Sequence, residues 1–348
     1  MKLFFGLLLT LLATPVLIWV AHQYGFLDHP DERKQHQDAT PAVGGLAMAF
    51  AIALCAAWQF SGHPAFWPVF AATFMIIVIG FLDDWKRLPV TIRFAIQGSA
   101  ALIVSLYAGV QLVHLGDLFG SGMITLGVAS IPFTVFAAVG MVNALNLSDG
   151  MDGLAGGLAL IATMFIAAVA YLSDMQMTLD GLLILGGALI GFLAFNMRCL
   201  GRKCAKVFMG DSGSLMLGFL LAWAAIHITQ HERNAFPPAA VLWFFAIPLW
   251  DTVSLMLRRV LKGKSPFHPG RDHLHHILLR VGYTDSQVVR FILLVAVACG
   301  LVGFWGWLGG VPDAVLFYGF LGMFSLYFAG VRNAWKLMRL IVPLSRRQ

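Results

Sequence analysis

Four short stretches of this sequence bring carboxylates, amides and imidazoles together in patterns that can do chemistry. In GFLDDWKR, Asp83 and Asp84 close an apolar run side by side. Two adjacent carboxylates can hold a divalent cation or a proton, although a solvated acidic turn beside Lys86 and Arg87 would look the same. NALNLSDGMDGLAGG sets Asn143, Asn146, Asp149 and Asp152 three residues apart. Each step of three turns a helix by about 300°, so neighbours share a face but all four cannot. Gly150 and Gly153 weaken the helix there. The expectation is a helix that frays near Gly150 and turns its polar groups into one cavity.

KVFMGDSGS places Asp211 at a helix start between glycines. Backbone N–H groups and the helix dipole favour an anion at such a point, and a plain N-cap reads equally well. RRVLKGKSPFHPGRDHLHH puts His273, His275 and His276 beside Arg271 and Asp272. Zinc would need further His or Cys at ligand spacing, which the sequence lacks. A His/Arg cluster facing acidic groups suits phosphate binding better. Asp251, about two helical turns before Arg258, reads first as a partner for an arginine.

The elements that must position these residues are membrane spans. The chain has 348 residues, 59% of them hydrophobic and only 11% charged. A soluble domain carries roughly 25% charged residues. Mean hydropathy is +0.81. A disordered chain, a disulfide scaffold, a cytosolic enzyme and a short-stranded barrel are all excluded. The four cysteines form no CxxC pair. The net charge of +6 points to basic loops rather than to nucleic acid.

A transmembrane helix needs about 20 mostly apolar residues. The stretches near 3–22, 43–60, 66–82, 92–113, 128–147, 153–172, 179–197, 208–229, 237–257, 287–308 and 313–331 qualify. The expected fold is therefore all-α: a polytopic integral membrane protein of eleven spans, read as a single unit over 1–348. The first stretch lacks a clear cleavage site and reads as a retained span. All of the 23 basic residues except Lys2 and Arg233 fall on one side of this map. That side is then cytosolic, with the N-terminus outside and the C-terminus inside. Its loops lie near 23–42, 83–91, 146–153, 198–211 and 258–286, and the stretch 335–344 reads as lying along the membrane surface.

Twelve of the 17 acidic residues fall on the same side, several where a loop meets a span. A transporter would keep them near the bilayer midplane. Carboxylates at a cytosolic mouth favour an enzyme that works on a polar substrate at the membrane surface. A nucleotide-sugar or lipid-linked transporter is the alternative.

At this point five stretches, FLDHPDERKQHQDATPAVGG, GFLDDWKR, NALNLSDGMDGLAGG, KVFMGDSGS and SPFHPGRDHLHH, resemble the polyprenyl-phosphate N-acetylhexosamine-1-phosphate transferases, in the same order and over nearly the whole chain. The HLHH ending and PLWDTVSLMLRR look like the branch that makes undecaprenyl-diphospho-GlcNAc, rather than the one that transfers phospho-MurNAc-pentapeptide.

The resemblance implies attack of undecaprenyl phosphate on the sugar-linked phosphate of a UDP-sugar, with UMP leaving. It implies a bacterial inner-membrane protein with its active site facing the cytosol. It also implies magnesium (manganese as an alternative), and a homodimer follows from it alone. By motif, Asp211 and Asn146 would ligate the metal. Asp83 and Asp84 match the catalytic aspartate pair, and His273, His275 and His276 the histidine loop. Asp152 would recognise uracil, Phe208 would stack on it, and Arg93 would sit near the phosphates. Asp149, Asn143, Lys34 and Arg271 complete the expected substrate contacts. Arg87 stands where relatives often carry Asp or Lys. A phosphate monoester has a second pKa of ~6, so full deprotonation by Asp83 adds little at neutral pH. Orienting the lipid phosphate, taking a residual proton, or forming a covalent aspartyl-phosphate all remain open for it.

Overall fold

In a computed structural model, the structure describes residues 1–28, 39–198, 204–230, 236–266 and 272–333. Lys34, Arg271 and the stretch 335–344 lie outside the described residues. The helices run α1 (Lys2–Tyr24), α2 (Gly44–Phe60), α3 (Phe66–Lys86), α4 (Val90–Tyr107), α5 (Ser130–Leu147), α6 (Leu154–Leu172) and α7 (Gln176–Asn196). They continue with α8 (Gly210–Thr229), α9 (Pro238–Phe244), α10 (Ala246–Val260), α11 (Leu274–Val281), α12 (Asp285–Leu308) and α13 (Asp313–Arg332). Among the described residues nine helices are long and apolar enough to cross a membrane, and a tenth if α9 and α10 count as one span. The protein is an all-α polytopic membrane protein. Helices satisfy their own backbone groups, which a bilayer demands.

The sequence expectation of eleven spans is not reached, and two places account for the difference. Helix α2 has 17 residues, short for a crossing. The stretch 237–257 is not one straight helix but two, bent by 85° at Phe245. Pro248 explains the break. It has no N–H for the carbonyl of Phe244, four residues back, and its ring would clash with that carbonyl in a continuous helix. A second departure from the all-α reading is a small antiparallel pair, β1 (Leu27–Asp28) with β2 (Thr40–Pro41), in register Leu27 to Pro41.

Helix α8 is the axis of the bundle. Nearly all of it is buried, whereas α1 and α13 are mostly exposed. Helices α3 and α5 flank it most closely. The approach of α3 depends on Gly80, because a Cβ there would sit 2.5 Å from the Ser212 backbone. This contact lies one turn before Asp83 and Asp84, and so delivers both to the start of α8.

Polar contacts gather at the two ends of the bundle. At one end Lys2 and Gln59 bind Asp180, and Gln230 binds the backbone of Val113 and His114. The other end holds the motifs singled out in the sequence.

Candidate active site

Helix α3 ends because the chain turns left-handed at Arg87 (φ 51°), whose N–H caps the carbonyl of Asp83 at 2.9 Å. Such a backbone is costly for a side chain as large as arginine. Pro89 follows and stops any continuation of the helix. The turn aims the Leu88 N–H at Asp83 Oδ1, 2.7 Å away. Asp83 Oδ2 accepts Arg93 Nη1 from α4 at 2.5 Å. Both oxygens of this buried carboxylate are therefore engaged. Arg93 Nε is buried without a partner among the described residues.

Asp84 does something different. Helix α8 has no side-chain cap from its own N-terminal residues. Asp84 supplies one from α3: Oδ1 accepts the Asp211 N–H at 2.9 Å and Oδ2 the Ser212 N–H at 3.4 Å. These are the amide groups an N-cap normally satisfies. Gly210 makes room for it. Its φ is +73°, and a Cβ would lie 2.7 Å from Asp84 Oδ2. The sequence treated Asp83 and Asp84 as one catalytic pair, but the structure gives Asp83 an arginine to hold and Asp84 a helix to cap.

Asp211 is thereby freed from capping its own helix. Its Oδ1 accepts Asn146 Nδ2 at 2.7 Å, and Asn146 also donates to Ser214 at 2.9 Å. The Asp211 and Asp83 carboxyls lie within hydrogen-bond reach of each other. Three crowded carboxylates with one arginine leave negative charge uncompensated. Among the described residues no three His, Cys, Asp or Glu side chains converge as a ready-made metal site. A hard cation of the magnesium type needs less: one or two protein oxygens, with water and phosphate supplying the rest. The oxygens of Asp211 and Asn146 suit that pattern.

Helix α5 ends at Leu147 and α6 begins at Leu154, so the polar quartet spans a helix end and a turn, as the glycines suggested. The structure splits the quartet. Asn143 donates to Gln97 on α4 at 2.7 Å and to the Val139 carbonyl at 2.8 Å, which ties α4 to α5. Asn146 faces α8. Asp149 is exposed at the turn. Desolvation by the protein packed around it first, then the charges of Asp84 and Asp152, push its carboxyl up to about 7. Asp152 Oδ2 accepts Arg198 Nε at 2.6 Å and the Ala205 N–H at 3.2 Å. Arg198 also binds Asp285 at the start of α12. Phe208 is held by its backbone: its N–H donates to Pro41 and its carbonyl accepts the Gly44 N–H, at 2.8 and 2.9 Å.

The histidines come next. His275 is buried against the α5–α6 turn, where a Cβ on Gly150 would meet its Nε2 at 2.5 Å. Burial first, then His276 and His273, push its pKa down to about 3. It is a neutral ring at physiological pH and carries no charge for a phosphate. Its ring stacks on His273 at 5.6 Å, and the His276 ring lies 4.2 Å from it. Asp251 is not paired with an arginine. Its partners are His273 Nδ1 at 2.7 Å and Tyr327 Oη at 2.8 Å, while Arg258 donates to the Asp272 carbonyl at 2.6 Å. The arginine reading failed because the start of α11 returns to Asp251 on α10, which sequence distance cannot show.

Comparison with known proteins adds a frame. A model of glycosyl transferase family 4 matches residues 66–229, the stretch from α3 to the end of α8. The undecaprenyl-phosphate alpha-N-acetylglucosaminyl 1-phosphate transferase of Escherichia coli (strain K12) is 34% identical over 329 residues, covering 94% of this chain and 89% of that protein. The chain belongs to glycosyl transferase family 4. Two further proteins of that name are similar to this family 4 member. The one from Yersinia pestis is 35% identical over 331 residues, 94% of this chain and 90% of its own. The one from Haemophilus influenzae is 34% identical over 348 residues, covering 99% and 96%.

Sequence reasoning missed four positions at this site. Arg198, Gln97 and Tyr327 serve as partners to motif residues. Asn196 staples the loop ahead of α6 to the segment ahead of α8, accepting from the Gly153 N–H and donating to the Val207 carbonyl at 2.7 and 2.9 Å. Only Arg198 had a usable signal, as a basic residue at a helix end on the acidic side of the map.

Proposed function

We propose that this chain transfers GlcNAc-1-phosphate from UDP-GlcNAc to undecaprenyl phosphate. A lipid phosphate oxygen bonds to the sugar-linked phosphorus, the bond to UMP breaks, and undecaprenyl-diphospho-GlcNAc forms. This is a first lipid-linked step toward a cell-surface polysaccharide. The observation that carries the reading is the meeting of Asp83, Asn146 and Asp211 at one end of a membrane bundle whose relatives bear that name.

Phosphoryl transfer asks for charge neutralisation and alignment more than for covalent help. Magnesium, or manganese, would screen the pyrophosphate when held by Asp211 and Asn146. Asp83 fixes Arg93, which lends its positive charge beside the phosphates. Phe208 and the remaining oxygen of Asp152 receive the uracil. His273 and His276 face the anionic groups, and Lys34 and Arg271 are further candidates for contacting them by sequence motif. The protein sits in the bacterial inner membrane with this end toward the cytosol, where UDP-sugars are.

The direct test incubates purified protein with UDP-GlcNAc and undecaprenyl phosphate. Mass spectrometry should find the diphospho-lipid with UMP released in equal amount. A transporter would move substrate without releasing UMP.

Two smaller predictions belong here. Asn146→Ala is expected to raise the magnesium concentration for half-maximal rate about tenfold. A superimposable magnesium titration would remove Asn146 from the metal site. Orientation is checked by labelling in a Cys204→Ser background. Ser121→Cys should react with an impermeant thiol reagent in intact cells, and Lys264→Cys only after lysis. The reverse pattern would overturn the cytosolic site.

A further inference from the structure

Asp251 lies on α10, outside every motif that carries the proposed chemistry. It is nonetheless a heavily bonded carboxylate, with three partners from two other parts of the chain. Oδ2 meets His273 Nδ1 at 2.7 Å. Oδ1 accepts the Leu274 N–H at 3.0 Å and the Tyr327 hydroxyl at 2.8 Å. Asp251 and His273 are each only 6% exposed. Tyr327 comes from α13, a helix that otherwise touches the bundle little. Its ring leans on Trp250, with centroids 6.1 Å apart.

A carboxylate only accepts, so the Nδ1 that faces it must carry the proton. Nε2 is then the nitrogen left for a ligand. His273 stacks on His275, which abuts Gly150 in the turn between Asp149 and Asp152. The ring thus stands beside the turn that the proposed reaction uses. We propose that Asp251, steadied by Tyr327, is a positioning residue: it fixes the tautomer and tilt of His273 so that an unprotonated Nε2 faces the phosphates. In that state Nε2 can take the residual proton of a lipid phosphate monoester. The O–H bond of the phosphate breaks and leaves its electron pair on oxygen, the N–H bond forms, and the resulting N–H donates back to that oxygen. The inference rests on the transferase reading for its substrate, but its structural half does not.

Asp251→Asn is a sharp test because it keeps the shape and inverts the proton. The Leu274 N–H can only donate, so the amide oxygen must stay on its side. The new NH2 group then faces Nδ1 and requires a lone pair there. The proton moves to Nε2, which can no longer accept one. A purely packing role for Asp251 predicts no such change.

The experiment uses the full chain in lipid nanodiscs with 15N-labelled histidine, and His273→Gln to assign the signal. Wild type is expected to show a protonated Nδ1 on His273, and Asp251→Asn an unprotonated one with Nε2 protonated. At pH 5, below the lipid phosphate's second pKa of ~6, Asp251→Asn should lower kcat about tenfold, because only the dianionic fraction of the substrate then reacts; the loss should fade by pH 8, with the KM for UDP-GlcNAc within about threefold at both. Tyr327→Phe, which removes one neutral hydrogen bond, should cost about fivefold in kcat and leave the tautomer unchanged. An unprotonated Nδ1 in wild type overturns the proposal, as does a kcat for Asp251→Asn within threefold of wild type at pH 5. Inactivity of the wild type would instead count against the transferase reading, and the tautomer spectra would still decide the role of Asp251.

Discussion

Asp211→Asn is expected to lower kcat at least about a thousandfold, with little change in thermal stability. The size follows from what the residue offers. Asp211 is the carboxylate at the mouth of α8 that neither pairs with an arginine nor caps a helix, so its charge is available to a cation. Removing one preorganised charge from a site that stabilises a transferring phosphoryl group costs two to three orders of magnitude or more. Stability should hold because the change relieves repulsion: Asp83 and Asp84 lie beside it. Asn can also keep the contact with Asn146 after an amide flip. The check is a magnesium titration of purified variant and wild type, with melting curves on both. A variant that keeps a near-normal rate at low magnesium would show that Asp211 is not the metal residue.

Asp83→Asn should lose about a hundredfold, and the loss should be the same at pH 6 and pH 8. Both of its oxygens are already taken, by the Leu88 N–H and by Arg93. An engaged, ion-paired carboxylate is a poor base and a poor nucleophile. Its value is the place it gives Arg93, which a neutral amide holds only weakly. Were Asp83 the acceptor of the lipid phosphate's residual proton, the loss would shrink above that group's second pKa of ~6, where the substrate is already dianionic. Were it a covalent nucleophile, lipid-free wild-type enzyme would exchange labelled UMP into UDP-GlcNAc. Clear exchange without lipid would sink direct attack by the lipid phosphate.

Much of this was legible in the residues, and the gaps have a common cause. Apolar runs mark helices because a bilayer leaves the backbone no other choice, so α1 to α8 fall where hydropathy put them. Pro248 was visible too, but its effect on 237–257 was hidden because the whole stretch is apolar, and window hydropathy does not feel a missing N–H. At the site, residue types pointed to a chemistry while their partners stayed hidden. Asp84 looked identical to Asp83 until α8 appeared beside it. Asp251 looked as if it would pair along its own helix, whereas its partners come from α11 and α13, 22 and 76 positions away. Asn143 matched the spacing of Asn146, yet faces α4. A period of three says which residues neighbour one another on a helix, not which helix stands opposite.

The cap that Asp84 places on α8 crosses 127 positions of chain. At synthesis rates of about 5–20 residues per second, roughly 6 to 25 seconds separate the two residues as the chain emerges. Throughout that interval α3 sits in the bilayer with its carboxylates already made and nothing to cap. The centre therefore has no half-built form, and a ribosome stalled before α8 leaves a membrane-inserted but inert protein. Turnover becomes a report on completed insertion. A substitution deep in α8 that merely delays its entry will depress the rate per molecule made, while the molecules that do finish keep an unaltered KM.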